Sequence, residues 1–216
     1  MARPDLTTDR ARALALVPVS RETVARLDRF AELLLDWQSR MNLIAASTVP
    51  VLWTRHIADS LQLLAIAPAA RKWADLGSGA GFPGLPIACA LADQTLAEVH
   101  LIESNNKKAA FLREAVRVTG APAVVHAERV ADFARGIRDP LDAVTARAVA
   151  PLSELLSIAY PLLKNGAQGL FAKGQDVEAE LTQATKCWSI QASLVPSRTD
   201  PKSRIVVIRK AKPRHK

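Results

Sequence analysis

The sequence predicts an α/β fold built on a mostly parallel sheet with antiparallel last strands, and a helical segment before the sheet. Three observations lead to this prediction. From residue 72 onward, short apolar runs alternate with longer amphipathic stretches, the pattern of parallel strands joined by crossover helices. A glycine-rich turn directly follows the first of these strands. Two strand-like runs then follow each other near the end of the chain with no helix between them.

The composition is that of an ordinary globular protein. Of 216 residues, 49% are apolar and 23% are charged, and the thirteen Pro, nine Gly and two Cys exclude collagenous, disordered and disulfide-stapled classes. Cys89 and Cys187 form no CxxC pair, so we expect both to pack as small apolar side chains, with no metal site. No apolar run approaches the roughly eighteen residues of a membrane span. We therefore expect a cytoplasmic protein without membrane contact.

The first element is a helix over residues 20–40. Apolar residues recur there at intervals of three and four, as in Val24, Leu27, Ala31 and Leu34, and Ser20 is a suitable N-cap. A second helical stretch begins after the Ser-Thr-Val-Pro sequence at 47–50. Residues 1–68 are thus predicted to form a helical extension, and residues 69–216 the sheet domain.

Two faces are expected on the second helical stretch. Ile57, Leu61 and Leu64 point one way, and the polar residues Arg55, Asp59 and Gln62 point another. In the simplest interpretation, Arg55 and Asp59 form a surface pair four residues apart, which contributes only about 0.3–0.5 kcal/mol.

The sheet domain alternates regularly until its last two strands. We predict strands over 72–76, 98–103, 122–127, 141–146 and 167–173, and helices over 84–92, 106–119, 130–135, 151–163 and 176–186. Asn105 and Gly120 are suitable caps for one of these helices, and Pro151 is suited to open another. The closing strands are expected over 187–194 and 203–210, with a basic tail of seven Lys or Arg and no acid from Lys202 to Lys216.

The turn after the first strand reads Asp75-Leu-Gly-Ser-Gly-Ala-Gly-Phe-Pro-Gly84, and two classes of cofactor fit it. Gly79, Gly81 and Gly84 match the GxGxxG fingerprint of dinucleotide sites. The first glycine is Gly77, however, and Asp75 two residues before it is a poor neighbour for a pyrophosphate. S-adenosylmethionine carries a sulfonium and an ammonium and has no phosphate. We therefore favour S-adenosylmethionine over a nicotinamide cofactor.

Two further positions are expected in the same crevice. Glu103 ends the second strand, where a carboxylate can hold the ribose hydroxyls of a nucleoside. The turn after the third strand contains Val130, Ala131 and Asp132. Either the Asp132 carboxylate or the backbone of Val130 and Ala131 could bind an adenine, and the sequence does not choose between them.

Five motifs in this order resemble the bacterial 16S ribosomal RNA guanine-N7 methyltransferases, formerly called glucose-inhibited division protein B. The motifs are Trp37-Gln-Ser-Arg-Met-Asn-Leu, Arg55-His-Ile-Ala-Asp-Ser-Leu, the glycine-rich turn with its following Leu-Pro, Thr145-Ala-Arg-Ala and Ala172-Lys-Gly. One departure is Gln38, where the family commonly has Asn after the Trp. The resemblance implies the class I methyltransferase fold, which is Rossmann-like, and S-adenosylmethionine as methyl donor. It implies a guanine in the decoding-region 530 loop of 16S rRNA as target.

The resemblance also implies particular contacts. The family's cofactor contacts fall on Gly77, Phe82, Val130, Ala131 and Arg147, with Gly79 in the same loop; Phe82 can also be read as core at the helix entry. Arg147 is a cation at the end of a buried strand, so we expect it at the cofactor carboxylate or at the substrate.

Arg55 and His56, with Asp59, form a polar helix face, and the resemblance favours its bordering the target base. Lys173, at the end of the fifth strand near the crevice, is a second candidate for RNA contact, and the basic tail adds to the positive surface. Guanine N7 presents an in-plane lone pair, so no general base and no catalytic residue of that kind are expected. His100 and His126 lie in strand patterns and are expected to be packed or edge residues.

The net charge of +8 is consistent with a polyanionic partner. Three functions are therefore considered: an rRNA methyltransferase, a nicotinamide-dependent oxidoreductase, and a non-catalytic RNA-binding protein on the same scaffold. For the first, the expected partner is 16S rRNA or the small ribosomal subunit, and the enzyme is expected to be a monomer.

Overall fold

The computed structural model describes residues 4–214 of the chain. Within them, seven strands form one sheet in the spatial order β3-β2-β1-β4-β5-β7-β6. The strands are β1 Lys72–Leu76, β2 Glu98–Ile102, β3 Ala123–His126, β4 Ala143–Arg147, β5 Gln168–Lys173, β6 Trp188–Pro196 and β7 Arg204–Pro213. Strands β1 to β5 are parallel, and β7 is antiparallel to both β5 and β6. The predicted mixed sheet is confirmed.

Helices cover both faces of this sheet. Their bounds are α1 Thr7–Leu16, α2 Arg21–Gln38, α3 Asp59–Leu61, α4 Leu63–Ile66, α5 Gly84–Leu91, α6 Asn106–Thr119, α7 Val130–Gly136, α8 Leu152–Leu163 and α9 Val177–Thr185. Local signals set several ends. Ser20 accepts a hydrogen bond from the Thr23 amide and begins α2. Asn105 caps α6, which ends at Gly120 with φ of 62°. The predicted strands and the helices from 84 onward are confirmed to within three residues.

The segment before the sheet is less regular than the sequence predicts. A 3₁₀ turn, Ala46–Val51, contains Pro50, and a π-helical turn, Trp53–Ala58, leads from it into α3. The sequence pattern does not predict α1 as an element of its own within the helical extension. The division into an extension and a sheet domain stays a prediction.

Two apolar clusters bury the faces of the sheet. Helices α1 to α6 lie on one side, where Phe30 of α2 packs with its ring centroid 5.3 Å from that of Phe82 and 6.4 Å from that of Phe111. Helices α7 to α9 lie on the other, against Val144, Phe171 and their neighbours. The segment before β1 thus shares one continuous core with the sheet, which fixes its position relative to the glycine loop.

Two expectations are corrected. Cys89 is buried as predicted, but Cys187 is exposed, because it lies in the turn between α9 and β6. The basic segment from Lys202 is also not a free tail, since most of it forms β7. The predicted tail residues His215 and Lys216 lie outside the described residues. In the described part of the chain, no helix is long and apolar enough to cross a membrane.

Candidate functional site

The carboxyl ends of the parallel strands meet at one edge of the sheet, where the strand order reverses between β1 and β4. In doubly wound sheets, this switch point opens a crevice that holds ligands. The glycine loop after β1, Glu103 after β2 and Arg147 at the end of β4 all lie at this edge. The fold therefore brings together the loop, the acid and the cation that the sequence singles out.

Gly77 and Gly84 fix the shape of the glycine loop for different reasons. Gly77 has φ of 67°, and a Cβ there would lie 3.0 Å from Val149 Cγ2 in the loop after β4. Gly84 begins α5, and a Cβ there would lie 2.8 Å from Asp75 Cβ and would also meet Leu101. The first glycine permits a left-handed backbone, and the second permits close approach of helix to strand.

Asp75 lies beneath the loop and not in the open crevice. Its side chain is buried; Oδ1 accepts a hydrogen bond from the Thr145 hydroxyl at 2.9 Å, and Oδ2 accepts one from the Gly84 amide at 3.1 Å. Burial raises the pKa of Asp75 to about 6, so the carboxylate is largely ionised at pH 7. This carboxylate occupies the N-terminus of α5, where a dinucleotide site would hold pyrophosphate.

Glu103 joins two loops of the crevice. Its Oε2 accepts a hydrogen bond from the Gly79 amide at 2.9 Å, and its Oε1 accepts one from the Asn105 amide at 2.7 Å. A carboxylate oxygen has two lone pairs, so each of these atoms can also accept a hydrogen bond from a ligand hydroxyl.

The turn after β3 contributes backbone to the same edge. Val130 begins α7 and is partly buried, whereas Ala131 and Asp132 are exposed. The Asp132 carboxylate forms an ion pair with Arg135 one turn along the helix. Since the side chain already has this partner, backbone groups of Val130 and Ala131 are the simpler contacts for an adenine, and that contact stays a prediction.

A pocket of about 430 Å³ opens beside the glycine loop, at the ends of β4 and β5. Its wall includes Arg55, Asp59, Arg147 and Lys173, together with Ser197 and other residues of the turn between β6 and β7. Its lining is largely apolar, with a few charged groups that could orient a nucleobase.

Arg147 is the central cation of this wall. Its side chain is 20% exposed; it donates to the Arg55 carbonyl at 3.2 Å and lies 3.6 Å from the Asp59 carboxylate. Its guanidinium sits 5.2 Å from the centre of the Phe82 ring, in a cation–π arrangement. Burial lowers the pKa of Arg147, while the Asp59 and Asp75 carboxylates act in the opposite direction. The guanidinium remains a cation.

His56 contacts the Arg147 guanidinium and holds it in place. Its Nδ1 lies 2.7 Å from Arg147 Nη2, and its Nε2 lies 2.9 Å from Thr48 Oγ1. Burial and the nearby cations lower the pKa of His56 to about 3, so the ring is neutral. Arg147 can only donate, so Nδ1 accepts and Nε2 carries the proton that it donates to Thr48. The ring also packs against Phe82 at 5.0 Å.

Both ring nitrogens of His56 therefore have partners within the protein, and neither is free to contact RNA in this arrangement. Phe82 contributes to the core, where it packs against Phe30, and also supports Arg147. Both residues position the cation.

The expected surface pair of Arg55 and Asp59 is wrong. Asp59 and Gln62 are buried, because the turn between β6 and β7 covers them: Asp59 Oδ1 accepts a hydrogen bond from the Thr199 hydroxyl at 2.7 Å. Arg55 stays at the surface, 3.5 Å from the Asp200 carboxylate. Of the polar face expected here, only Arg55 is exposed.

Lys173 is on the pocket wall but already has partners. Its Nζ donates to the Ala150 carbonyl at 2.6 Å and pairs with Glu180 Oε2 at 2.7 Å. Glu180 also accepts a hydrogen bond from the Leu152 amide at 2.7 Å. Together these bonds hold the loop between β4 and α8 that crosses Gly77. The RNA contact assigned to Lys173 stays a prediction.

His100 and His126 are packed as expected. His100 Nδ1 lies 3.0 Å from His126 Nε2, and Phe133 packs against both rings. Among residues 4–214, no group of three or more His, Cys, Asp or Glu could hold a metal ion.

The sequence does not signal which residues act as partners of the site side chains. These partners are Thr48, which binds His56, Glu180, which binds Lys173, and Gln62 and Thr199, which join the helical segment to the β6–β7 turn. Most of these contacts join positions far apart in the chain, so no local spacing predicts them.

Comparison with known proteins identifies the family. The family model for rRNA small subunit methyltransferase G matches residues 23–206. A protein named ribosomal RNA small subunit methyltransferase G from a Bradyrhizobium species is 59% identical over 94% of this chain and 91% of its own length. One of the same name from Nitrobacter hamburgensis is 60% identical over 94% of this chain and 78% of its own.

Solved structures share the fold at low sequence identity. An O-methyltransferase from Bacillus cereus in complex with SAH covers 95% of this chain and 98% of its own, with a TM-score of 0.61 and 14% identity. The O-methyltransferase TomG from Streptomyces achromogenes in complex with SAM covers 96% and 98%, with a TM-score of 0.60 and 12% identity. These neighbours establish the class I methyltransferase fold. The family match and the close relatives confirm the resemblance found in the motifs: the chain belongs to the rRNA small subunit methyltransferase G family and is an rRNA methyltransferase.

Proposed function

We propose that this chain transfers the methyl group of S-adenosylmethionine to N7 of a guanine in the decoding-region loop of 16S rRNA. The observation that carries the choice of cofactor is the position of the Asp75 carboxylate. It accepts a hydrogen bond from the Gly84 amide at the N-terminus of α5. A pyrophosphate at that position would meet a second negative charge in a buried site. The nicotinamide alternative is disfavoured by this repulsion, which a cofactor without phosphate avoids.

The crevice offers groups for each part of this cofactor. Glu103 can accept hydrogen bonds from the ribose hydroxyls, and the backbone of Val130 and Ala131 can border the adenine. Gly77 and Gly79 let the loop approach the ligand closely. Arg147 is a cation fixed at the end of β4, suited to hold the carboxylate of the methionine part.

When bound, S-adenosylmethionine supplies an electrophilic methyl group on a sulfonium. The N7 lone pair of guanine forms a bond to the methyl carbon while the carbon–sulfur pair returns to sulfur, so no proton has to be removed at N7. The chain contributes by orienting the two reactants. The pocket wall at the ends of β4 and β5 holds the base, and the charged groups around Arg147 fix its direction.

The experiment is methyl transfer onto 16S rRNA that lacks the modification. Purified protein, methyl-labelled S-adenosylmethionine and either naked 16S rRNA or small subunits are mixed, and the labelled nucleotide is mapped by mass spectrometry. We expect one 7-methylguanine in the decoding-region loop. A label at another atom or in another loop would refute the proposed target.

Calorimetric titration separates the cofactor classes. We expect binding of S-adenosylmethionine and S-adenosylhomocysteine and no comparable binding of NADH. Tight NADH binding without response to the other two would overturn the cofactor proposal. Cofactor binding without any methyl transfer to rRNA would instead favour the non-catalytic RNA-binding alternative.

A further inference from the structure

We propose that the turn between β6 and β7, residues 197–203, is the surface that binds rRNA phosphates at the mouth of the pocket. We call this segment the hairpin tip. The inference rests on the proposed rRNA substrate and adds the place where the RNA backbone is held.

The hairpin tip stands at the pocket because of strand register. Lys173, the last residue of β5, pairs with Arg204, the first residue of β7, so the tip emerges at the carboxyl edge of the sheet. Ser197 and Ser203 line the pocket itself. A nucleotide whose base enters the pocket must therefore place its flanking phosphates next to this segment.

Buried side chains hold the hairpin tip in place. Gln62 Oε1 accepts a hydrogen bond from the Arg198 amide at 2.8 Å, and Gln62 Nε2 donates to Ser197 Oγ at 3.2 Å. Asp59 accepts from the Thr199 hydroxyl at 2.7 Å. Because Asp59 and Gln62 are buried in the helical segment, the tip is attached to the core and presents its charges at a fixed position.

The charges of the hairpin tip suit a polyanion. Arg198 and Lys202 are exposed, each two residues from Asp200 along the chain. The acid between them, Asp200, faces Arg55 at 3.5 Å and accepts hydrogen bonds from the Ser203 hydroxyl and the Lys202 amide, both at 2.9 Å. Lys202 also acts on this carboxylate, and Arg55, Arg198, Lys202 and Asp200 together carry a net charge of +2. Two exposed cations beside the pocket mouth remain to meet phosphates.

The two exposed cations in the middle of β7 lie elsewhere. Ile208 pairs with Gly169 near the start of β5, so Arg209 and Lys210 lie toward the opposite edge of the sheet. Arg209 is about 17 Å along the strand from Arg204. These two exposed cations provide a control with equal charge on the same strand pair.

The test compares two double variants by their binding to a 16S rRNA transcript at several salt concentrations. Affinity falls as salt rises, so log affinity plotted against log salt has a negative slope. In the double variant Arg198→Ala with Lys202→Ala, the magnitude of this slope should be smaller by about one to two. Between about 50 and 200 mM salt, the wild type should then lose roughly tenfold more affinity than this variant. Arg209→Ala with Lys210→Ala should keep the wild-type slope. Equal slopes for the wild type and the tip variant, or a larger change in the control, would overturn the inference.

A second variant tests the anchoring. Gln62→Leu removes the hydrogen bonds to Ser197, Arg198 and Asp59. It should weaken binding of the transcript severalfold, and by more than it weakens binding of S-adenosylmethionine in calorimetry. Thermal melting verifies that the variant is folded. Wild-type RNA affinity in the folded variant would show that the anchor plays no part.

The outcomes separate this inference from the proposed function. A wild type that methylates 16S rRNA, with a tip variant that binds RNA normally, refutes only the hairpin tip. A wild type that binds no 16S rRNA refutes both. A tip variant could also lose affinity for the small subunit but keep its affinity for naked transcript. That result would indicate that the hairpin tip contacts a ribosomal protein, and it would refute the proposal that the tip binds rRNA phosphates.

Discussion

At the scale of single residues, Gly77 is the position where the smallest change should remove cofactor binding. Its φ of 67° is rarely adopted by residues with a side chain, and an added Cβ would lie 3.0 Å from Val149. We expect Gly77→Val to bind no S-adenosylmethionine in calorimetry. Gly136→Val is a suitable control, because nothing lies within 4 Å of a Cβ there. Unchanged affinity in the Gly77 variant would contradict the assignment of this loop.

His56 tests whether Arg147 must be held in one orientation. His56→Phe keeps an aromatic ring against Phe82 but removes the acceptor at 2.7 Å from Arg147. His56→Asn places its amide oxygen close to the position of Nδ1 and keeps the acceptor. We expect the Phe variant to bind S-adenosylmethionine about tenfold more weakly, the loss of one hydrogen bond to a charged group, and the Asn variant to be affected less.

A double-variant cycle shows whether the effect passes through Arg147. In an Arg147→Met background, His56→Phe should cause little further loss, because the residue it orients is already absent. If the two losses simply add, His56 acts independently of Arg147 and the positioning role is refuted.

At the scale of elements, the contact between α5 and the sheet depends on Gly84. A Cβ there would lie 2.8 Å from Asp75 Cβ and would collide with Leu101, so α5 has to move away from β1 and β2. We expect Gly84→Ala to lower the free energy of unfolding by about 1–3 kcal/mol in urea titration. Gly136→Ala, where the added methyl meets nothing, is the control and should be neutral or slightly stabilising. Equal stability of the two variants would show that α5 adapts freely.

Local signals predict elements well when their caps are near in sequence. The helix α6 has both of its ends set by neighbours, Asn105 and Gly120. The π-helical turn Trp53–Ala58 is different, because its cap comes from another helix. The Asp9 carboxylate of α1 accepts hydrogen bonds from the Trp53 amide at 2.7 Å and from the Thr54 amide at 3.2 Å. A cap supplied from so far along the chain cannot be found by periodicity, which explains why a regular helix was expected there.

At the scale of the whole molecule, two buried groups give opposite pH dependences of stability. The pKa of His56 falls to about 3 on folding, so below its ordinary value near 6.5 the unfolded chain binds a proton that the folded chain does not. This group therefore lowers stability as the pH falls through 6.5. The pKa of Asp75 rises to about 6 from 3.8, so this group raises stability as the pH falls from 6 toward 4.

Comparison with a variant isolates the histidine contribution. The difference in unfolding free energy between wild type and His56→Phe should shift against the wild type by about 1.6 kcal/mol between pH 6.5 and 5, with a slope that approaches about 1.4 kcal/mol for each pH unit. Urea titrations at these two pH values measure it. A difference that is constant with pH would mean that His56 is able to protonate in the folded protein.

The sequence by itself determined the order of strands and helices from residue 72, the glycine loop, the acid after β2 and the family. These features depend on short-range patterns: apolar periodicity, glycine where the backbone must turn, and caps next to the helices they end. Only the tertiary structure decided the partners of the charged groups. Asp59 is covered by Thr199 rather than paired with Arg55, and Lys173 is paired with Glu180. Such contacts depend on which segments the packed core brings together, and no short-range pattern in the sequence encodes that.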